Sequence, residues 1–174
     1  AIGYRAGNAV DTLSDNTFIG HDAGLKVDDG AYNTAIGSMA MESVAASAAC
    51  DYSVAIGYEA LAGIIGGDAN VAIGAYAASL TTTGTNNVAI GSYDGGFLGA
   101  LRNNTVGSFN IAIGTAALGL ANENDNDGTV AIGHLACTVQ AGTGGAQFAS
   151  ATTAIGYKSL TALTTGTGNT AIGY

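Results

Sequence analysis

The sequence predicts an all-β protein, a parallel β-solenoid built from stacked coils. Three observations predict it. The tripeptide Ala-Ile-Gly, or a near match, recurs ten times along the chain. Each copy shows the period-2 alternation of a short strand. The segments between copies are rich in Gly, Asn, Asp, Ser and Thr, which favour turns. Strand and turn recurring at a fixed period are typical of a repeat architecture.

The repeat has a base period of 17 residues. Successive motif glycines are separated by 17, 17, 20, 17, 17, 23, 19, 23 and 17 residues, so four intervals carry insertions of 3, 6, 2 and 6 residues. The motif glycines are Gly3, Gly20, Gly37, Gly57, Gly74, Gly91, Gly114, Gly133, Gly156 and Gly173.

Aligned on that glycine, the repeat unit reads Asn-[Thr/Val]-Ala-Ile-Gly-x-x-Ala-Leu. Alternate side chains of a strand point to opposite faces, so the β-branched residue and the Ile share one face while the Ala and Gly share the other. Both faces are apolar, and we expect both to be buried. The Gly would let a neighbouring backbone approach closely.

Coils stacked in register advance by about 4.8 Å each, so ten motifs would span roughly 45 Å. Each motif Ile would then lie over the Ile of the coil below and form a structural ladder. The predicted members of this ladder are Ile2, Ile19, Ile36, Ile56, Ile73, Ile90, Ile113, Ile132, Ile155 and Ile172.

Composition supports the repeat and excludes other classes. The 174 residues include 28 Gly and 34 Ala but no Pro or Trp, and only 10% are charged while 48% are hydrophobic. Disordered chains have the opposite balance of charge and hydrophobicity, and collagen needs Gly at every third residue. Because large side chains are scarce, a single narrow coil buries little apolar surface. We therefore expect one strand face to lie against partner chains in a closed homotrimer.

The charge balance limits the partners. Four Lys and Arg stand against 13 Asp and Glu, which gives a formal net charge of −9. Nucleic-acid binding and adsorption to anionic membranes both need clustered basic residues, so we expect neither partner. No apolar run approaches the roughly 18 residues of a membrane span, so we expect no membrane insertion.

The motif also resembles known repeats. The segments NTAIG at 33–37, NVAIG at 70–74 and 87–91, and NTAIG at 169–173 are similar to the head repeats of trimeric autotransporter adhesins. The 17-residue form, with AIGYKSL at 154–160, is similar to repeats of phage tail fibres and related virion fibres. The resemblance covers the whole chain and implies a left-handed β-roll, a homotrimer, and a place outside the cell or on a virion surface. It carries over no ligand-binding residue.

Few residues suggest chemistry. Asp125 and Asp127 alternate before Gly128 as in part of a Ca²⁺ loop, but the distal Glu of that loop is missing, which favours a solvated turn over a structural Ca²⁺ site. His21 and His134 follow motif glycines several coils apart, so we expect exposed positions rather than a metal site. We expect no cofactor and no enzyme, because no catalytic combination of residues emerges.

The two cysteines predict no disulfide. Cys50 and Cys137 lie about four coils apart, roughly 20 Å by strand spacing. A disulfide needs Cα atoms within about 7 Å, so we expect two small buried thiols.

Recognition, if present, is expected in the insertions, which span Glu42 to Tyr52, Tyr93 to Phe109 and Leu135 to Thr152. The second insertion has unusual apolar and basic character, from Phe97, Leu98, Leu101, Arg102 and Phe109. The alternative is that these residues fold back and plug the groove between chains. The Ala-rich stretch from Met39 to Cys50 leaves a short helical turn open as a second possibility.

We expect residues 1–174 to form a single repeat segment of a longer fibrous protein, because both ends of the chain fall within a motif. The leading hypothesis is a structural shaft of a trimeric extracellular or virion fibre that supports attachment to a host or receptor. The alternative is a bacterial surface adhesin whose insertions bind matrix or glycans. An ice-binding solenoid is disfavoured, because Val71, Val88, Ile111 and Val130 interrupt the Thr column it would need.

Overall fold

The fold is described from a computed structural model that covers residues 1–8, 14–42, 50–93, 95–96, 98–120, 126–138, 150–163 and 166–174. These residues form one parallel sheet of nine three-residue strands in sequence order, and none of them forms a helix. The strands are β1 (Thr17–Ile19), β2 (Thr34–Ile36), β3 (Val54–Ile56), β4 (Val71–Ile73), β5 (Val88–Ile90), β6 (Ile111–Ile113), β7 (Val130–Ile132), β8 (Thr153–Ile155) and β9 (Thr170–Ile172). No helix capable of crossing a membrane occurs in this part of the chain.

The prediction of an all-β parallel solenoid is confirmed. Every strand pairs with the next one along the chain, and the motif sets the register, so that Ile73 lies opposite Ile56 on one side and Ile90 on the other. Ile2 forms a further parallel bridge with Ile19. The insertions leave this register unbroken, because the extra residues lie outside the strands. The handedness and the number of associating chains stay predictions.

The core lies on the Ala side of the sheet. The central Ala of each strand from β2 to β8 is fully buried, and Phe18 takes this place in β1. The Ala three residues after the motif glycine faces the same interior, as Ala60 and Ala77 illustrate. Larger buried side chains, such as Met41 and Leu61, fill the remaining space. The small residues of the repeat are therefore the lining of a narrow tube.

The motif glycines form a column of close backbone contacts, as the sequence predicts. Gly74 has a φ of 123°, a conformation that L-residues with a side chain rarely adopt. A Cβ added to Gly74 would lie 2.8 Å from the carbonyl carbon of Gly91 in the next coil. Both the conformation and the spacing of the coils thus require Gly at this position.

The residues two and four positions after the motif glycine have a left-handed backbone that the sequence pattern does not reveal. Tyr76 has a φ of 59° and Ala78 a φ of 48°. Their backbone N–H groups donate in opposite directions, Tyr76 to the carbonyl of Tyr58 in the preceding coil and Ala78 to that of Ala100 in the next. These hydrogen bonds offset a strain of about 1–2 kcal/mol per residue.

The same geometry bears on the helical turn considered for Met39 to Cys50. Met39 and Met41 have φ values of 57° and 48°, so no right-handed helix begins there. Residues 43–49 lie outside the described part of the chain.

Candidate functional site

Two columns of side chains line the outer face of the sheet, and we call them the outer stripe. One column is the Ile ladder of β1 to β9, in which each Ile lies opposite the Ile of the next strand. The other consists of Thr17, Thr34, Val54, Val71, Val88, Ile111, Val130, Thr153 and Thr170. Every residue of both columns is Thr, Val or Ile, so the stripe is uncharged and largely apolar.

The outer stripe is only half-buried in the single chain, and the expectation that partner chains cover this second apolar face stays a prediction. Ile19 and Ile111 are each 37% exposed, and Val88 and Ile90 are intermediate. The physical reason is that alternation sends only the Ala of each strand into the tube. The second face can be buried only by something outside the chain.

A cavity of about 340 Å³ lies at the insertion between β5 and β6. Four of the described residues line it, Tyr76, Tyr93, Leu98 and Arg102, and we call it the Tyr76 pocket. Pockets that hold small molecules have volumes of roughly 300–1,000 Å³, so this one is at the small end of that range.

The pocket lies where six extra residues enter the 17-residue repeat. In the regular coil before it, the N–H of Ala77 donates to the carbonyl of Gly74, three residues earlier. In the inserted coil, the N–H of Ala100 makes the same bond to Gly91, nine residues earlier. The six extra residues therefore lie between Gly91 and Ala100. The chain rejoins the coil at Gly99, where an added Cβ would lie 2.5 Å from the carbonyl oxygen of Tyr76.

All four lining residues are held by backbone hydrogen bonds to other coils. The N–H groups of Tyr76 and Tyr93 donate to the carbonyls of Tyr58 and Ala75, at 2.8 and 3.0 Å. The carbonyl of Leu98 accepts from Ala116 at 2.8 Å, and that of Arg102 accepts from Leu80 at 3.0 Å. The backbone of each of these residues is therefore anchored to a neighbouring coil.

The pocket combines two aromatic rings with a positive charge. The rings of Tyr76 and Tyr93 meet edge to face, with centroids 5.4 Å apart and an interplanar angle of 75°. The guanidinium carbon of Arg102 lies 5.6 Å from the centre of the Tyr76 ring, within the range of a cation–π contact. Tyr93 is 43% exposed, so one ring of the pocket faces solvent.

The apolar and basic residues singled out in the second insertion lie in different environments, and recognition by this segment stays a prediction. Leu98 and Arg102 line the pocket, but Leu101 is fully buried in the core and Phe109 is 63% exposed away from the lining set. Phe97 lies outside the described residues. Tyr76 was missed because it belongs to the preceding coil. The available signal was a Tyr two residues after the motif glycine in two consecutive repeats, at Tyr76 and Tyr93.

The other two predicted insertions are only partly described. Residues 43–49 of the first and 139–149 of the third lie outside the described part of the chain.

The residues that follow the motif glycine lie at the rim of the coil, as predicted. Tyr4, Tyr58 and Tyr157 are exposed. The two histidines join this rim by stacking, His21 on Tyr4 at 5.2 Å and His134 on Tyr157 at 5.5 Å. Among the described residues no group of three His, Cys, Asp or Glu side chains is arranged to hold a metal ion.

The described part of the acidic turn bonds to the backbone of a neighbouring coil. Asp127 is exposed, and its Oδ1 accepts a hydrogen bond from the backbone N–H of Ser108 at 2.7 Å. Two other aspartates accept equivalent bonds. Oδ1 of Asp51 accepts from the backbone N–H of Ala31 at 2.7 Å, and Oδ1 of Asp68 accepts from the backbone N–H of Asp51 at 2.9 Å. Asp125 lies outside the described residues.

The prediction of two buried thiols is confirmed, because Cys50 and Cys137 are both buried and neither forms a disulfide. Burial raises the pKa of Cys50 to about 12, and the charges of Asp68 and Asp51 add to the effect. The thiol therefore stays protonated at neutral pH and is a poor nucleophile.

Comparison with known proteins finds no match to this chain among protein-family models, curated proteins or solved structures. The repeat, the outer stripe and the Tyr76 pocket are therefore the basis for inferring function.

Proposed function

We propose that the chain is a structural shaft segment of a trimeric extracellular or virion fibre that supports attachment to a host or receptor. The observation that carries this proposal is the outer stripe, an apolar face that runs along the whole sheet of a coil whose interior is already filled. A contiguous apolar surface of this kind is typical of an interaction site in a soluble protein.

The sheet itself favours a covered outer face. Parallel sheets usually have both faces covered. Here the inner face is sealed by Ala35, Ala55, Ala72 and their equivalents, all fully buried. The outer face exposes only Thr, Val and Ile side chains to water. Covering it removes apolar area from water at about 25 cal/mol per Å².

The occupant that best fits the stripe is a second and third copy of the same chain. The stripe presents a β-branched residue and an Ile at every strand, so a parallel copy presents a similar surface at the same spacing. It has no charge that would select a different partner. Three copies around one axis hide one face of each, and closed symmetry of this type leaves no open edge for further growth. The likeness to trimeric adhesin and fibre repeats favours three copies over two.

A shaft also needs resistance to bending and unfolding, and the coil supplies it through bonds between coils. Gly74 N–H donates to the carbonyl of Ile56, Tyr76 N–H to that of Tyr58, and Ala78 N–H to that of Ala100. Each coil is therefore tied to its neighbours at several points around its perimeter. Such a stack transmits force along its axis without relying on a large core.

The test is the mass of the assembled chain, measured by light scattering after size-exclusion chromatography. We expect the unaltered chain to have three times its 16.9 kDa mass. Ile90→Asp puts a charge into the covered stripe and is expected to abolish the trimer, because an unpaired buried charge is costly. Asn86→Asp is the matched control. Asn86 is exposed on the same coil, so this substitution adds the same charge outside the stripe. A folded monomer or dimer of the unaltered chain, or a trimeric Ile90→Asp variant, would overturn the proposal.

The second candidate is a bacterial surface adhesin whose insertions bind matrix or glycans. The specific observation that favours it is the Tyr76 pocket, which lies in an insertion that a bare shaft does not need. The flanking sequence separates the two candidates. A C-terminal membrane anchor would favour the adhesin, and a chaperone or virion-attachment domain would favour the fibre.

A further inference from the structure

We propose that the Tyr76 pocket binds a sugar that carries a carboxylate, such as a hexuronic acid. The inference deepens the second candidate function and does not require the chains to assemble. None of the described residues that line the pocket belongs to the outer stripe.

The aromatic rings define one half of the ligand. A pyranose ring presents C–H groups with a small positive charge, and these pack on the negative faces of aromatic rings. Tyr93 offers such a ring at the mouth of the pocket, and Leu98 adds an apolar wall. Because Tyr76 meets Tyr93 edge to face, the two rings form a corner rather than a flat surface. A compact ring fits that corner better than an extended apolar chain.

Arg102 defines the other half. A guanidinium binds a carboxylate through paired hydrogen bonds, which are stronger than those between neutral groups. Arg102 is one of only four basic residues in the chain. Among the other three, Arg5 is engaged by Asp22 through two hydrogen bonds of 2.8 and 2.5 Å. Placing a cation in a pocket of so acidic a chain favours a ligand with a negative charge.

The net charge of −9 limits how many negative charges the ligand can have. A polyphosphate or a nucleic acid would meet general repulsion from the surface, and one arginine would neutralise only one charge. A single carboxylate on an otherwise neutral sugar keeps the favourable contact and avoids most of this cost. The preorganised backbone of the four lining residues means that little ordering is needed on binding.

The experiment compares glucuronic acid with glucose, which differ only in the group on C6, by NMR titration of the intact chain. We expect glucuronic acid to bind about tenfold more tightly than glucose, with a dissociation constant on the order of 1 mM. Arg102→Gln should reduce its affinity to that of glucose. Tyr93→Ala should weaken both sugars.

Two controls keep the result specific. Lys158→Gln removes a cation that lies 5.1 Å from the Tyr157 ring, the same type of pair outside the pocket, and should leave binding unchanged. Acetate offers the carboxylate without the sugar ring and should not displace glucuronic acid at equal concentration. Equal binding of the two sugars, no binding, full displacement by acetate, or equal loss in Lys158→Gln would each overturn the proposal.

The masses of the same samples separate this inference from the proposed shaft. A monomer that binds glucuronic acid would contradict the trimer and support the pocket. A trimer that binds neither sugar would contradict the pocket and leave the shaft standing.

Discussion

Asn70 and Asn87 are joined inside the coil by a shared acceptor. Oδ1 of Asn70 accepts hydrogen bonds from the backbone N–H of Asn87 at 3.0 Å and from its side-chain Nδ2 at 3.1 Å. Asn110 makes the same pair of bonds to Oδ1 of Asn87, again at 3.0 and 3.1 Å. The motif Asn therefore forms a buried polar ladder that fixes the spacing of the coils. Nδ2 of Asn87 also donates to the carbonyl of Gly107 in the following turn, at 2.9 Å.

Asn87→Ala should destabilise the chain, because the buried backbone N–H of Asn110 loses its acceptor. An unsatisfied buried donor costs about 1–3 kcal/mol. Asn87→Ser is the matched control, since Ser53 occupies the same place in its own coil and its Oγ accepts from the N–H of Asn70 at 3.1 Å. Urea denaturation at one protein concentration checks both variants. Equal stability of the Ala and Ser variants would show that the ladder contributes nothing.

Gly74→Ala should cost about 3 kcal/mol or more, because the added methyl group meets the backbone of the next coil and the φ of 123° is strained for Ala. Gly168→Ala is the control. Gly168 has a φ of 68° and nothing within 4 Å of an added Cβ, and Ala69 already occupies the equivalent place in its coil at 55°. We expect a loss of only about 1 kcal/mol there. Similar melting temperatures for both variants would contradict the glycine column.

The Arg5–Asp22 pair should make the free energy of unfolding depend on pH in the acid range. The hydrogen bonds from Arg5 hold the pKa of Asp22 below its ordinary value of 3.8, with a further contribution from the charges of Arg5 and His21. A carboxyl whose pKa is lowered by folding stabilises the protein above its unfolded pKa, and this contribution is lost as the pH falls through the folded value. An NMR titration of the Asp22 carboxyl carbon should show the lowered pKa, and Arg5→Gln should raise it. An unchanged value in Arg5→Gln would contradict the assignment.

Much of the fold follows from the repeat. Alternation within Val71-Ala72-Ile73 determines which side chain enters the core, and the constant spacing of the motif glycine determines the register. Both the alternation and the glycine spacing are local properties of the sequence, and the copies of the motif share them. The insertions could be located in the same way, as departures from the 17-residue period.

The rest depends on contacts between coils, which periodicity does not encode. The left-handed conformations of Glu59 and Leu61 arise because their N–H groups bond to the coils on either side. The pocket combines Tyr76 with Arg102, which are far apart in sequence and adjacent only after stacking.

The central claim is that copies of the chain cover the outer stripe, and methyl NMR with a soluble paramagnetic agent tests it most directly. The chain contains its own references, since Ile64 is fully buried in the core and Ile172 is 75% exposed in the single chain. The claim predicts that the methyl groups of Ile56, Ile73 and Ile90 are protected from the agent as strongly as those of Ile64. Relaxation of these three groups at a rate between those of Ile64 and Ile172, as in an isolated chain, would contradict it.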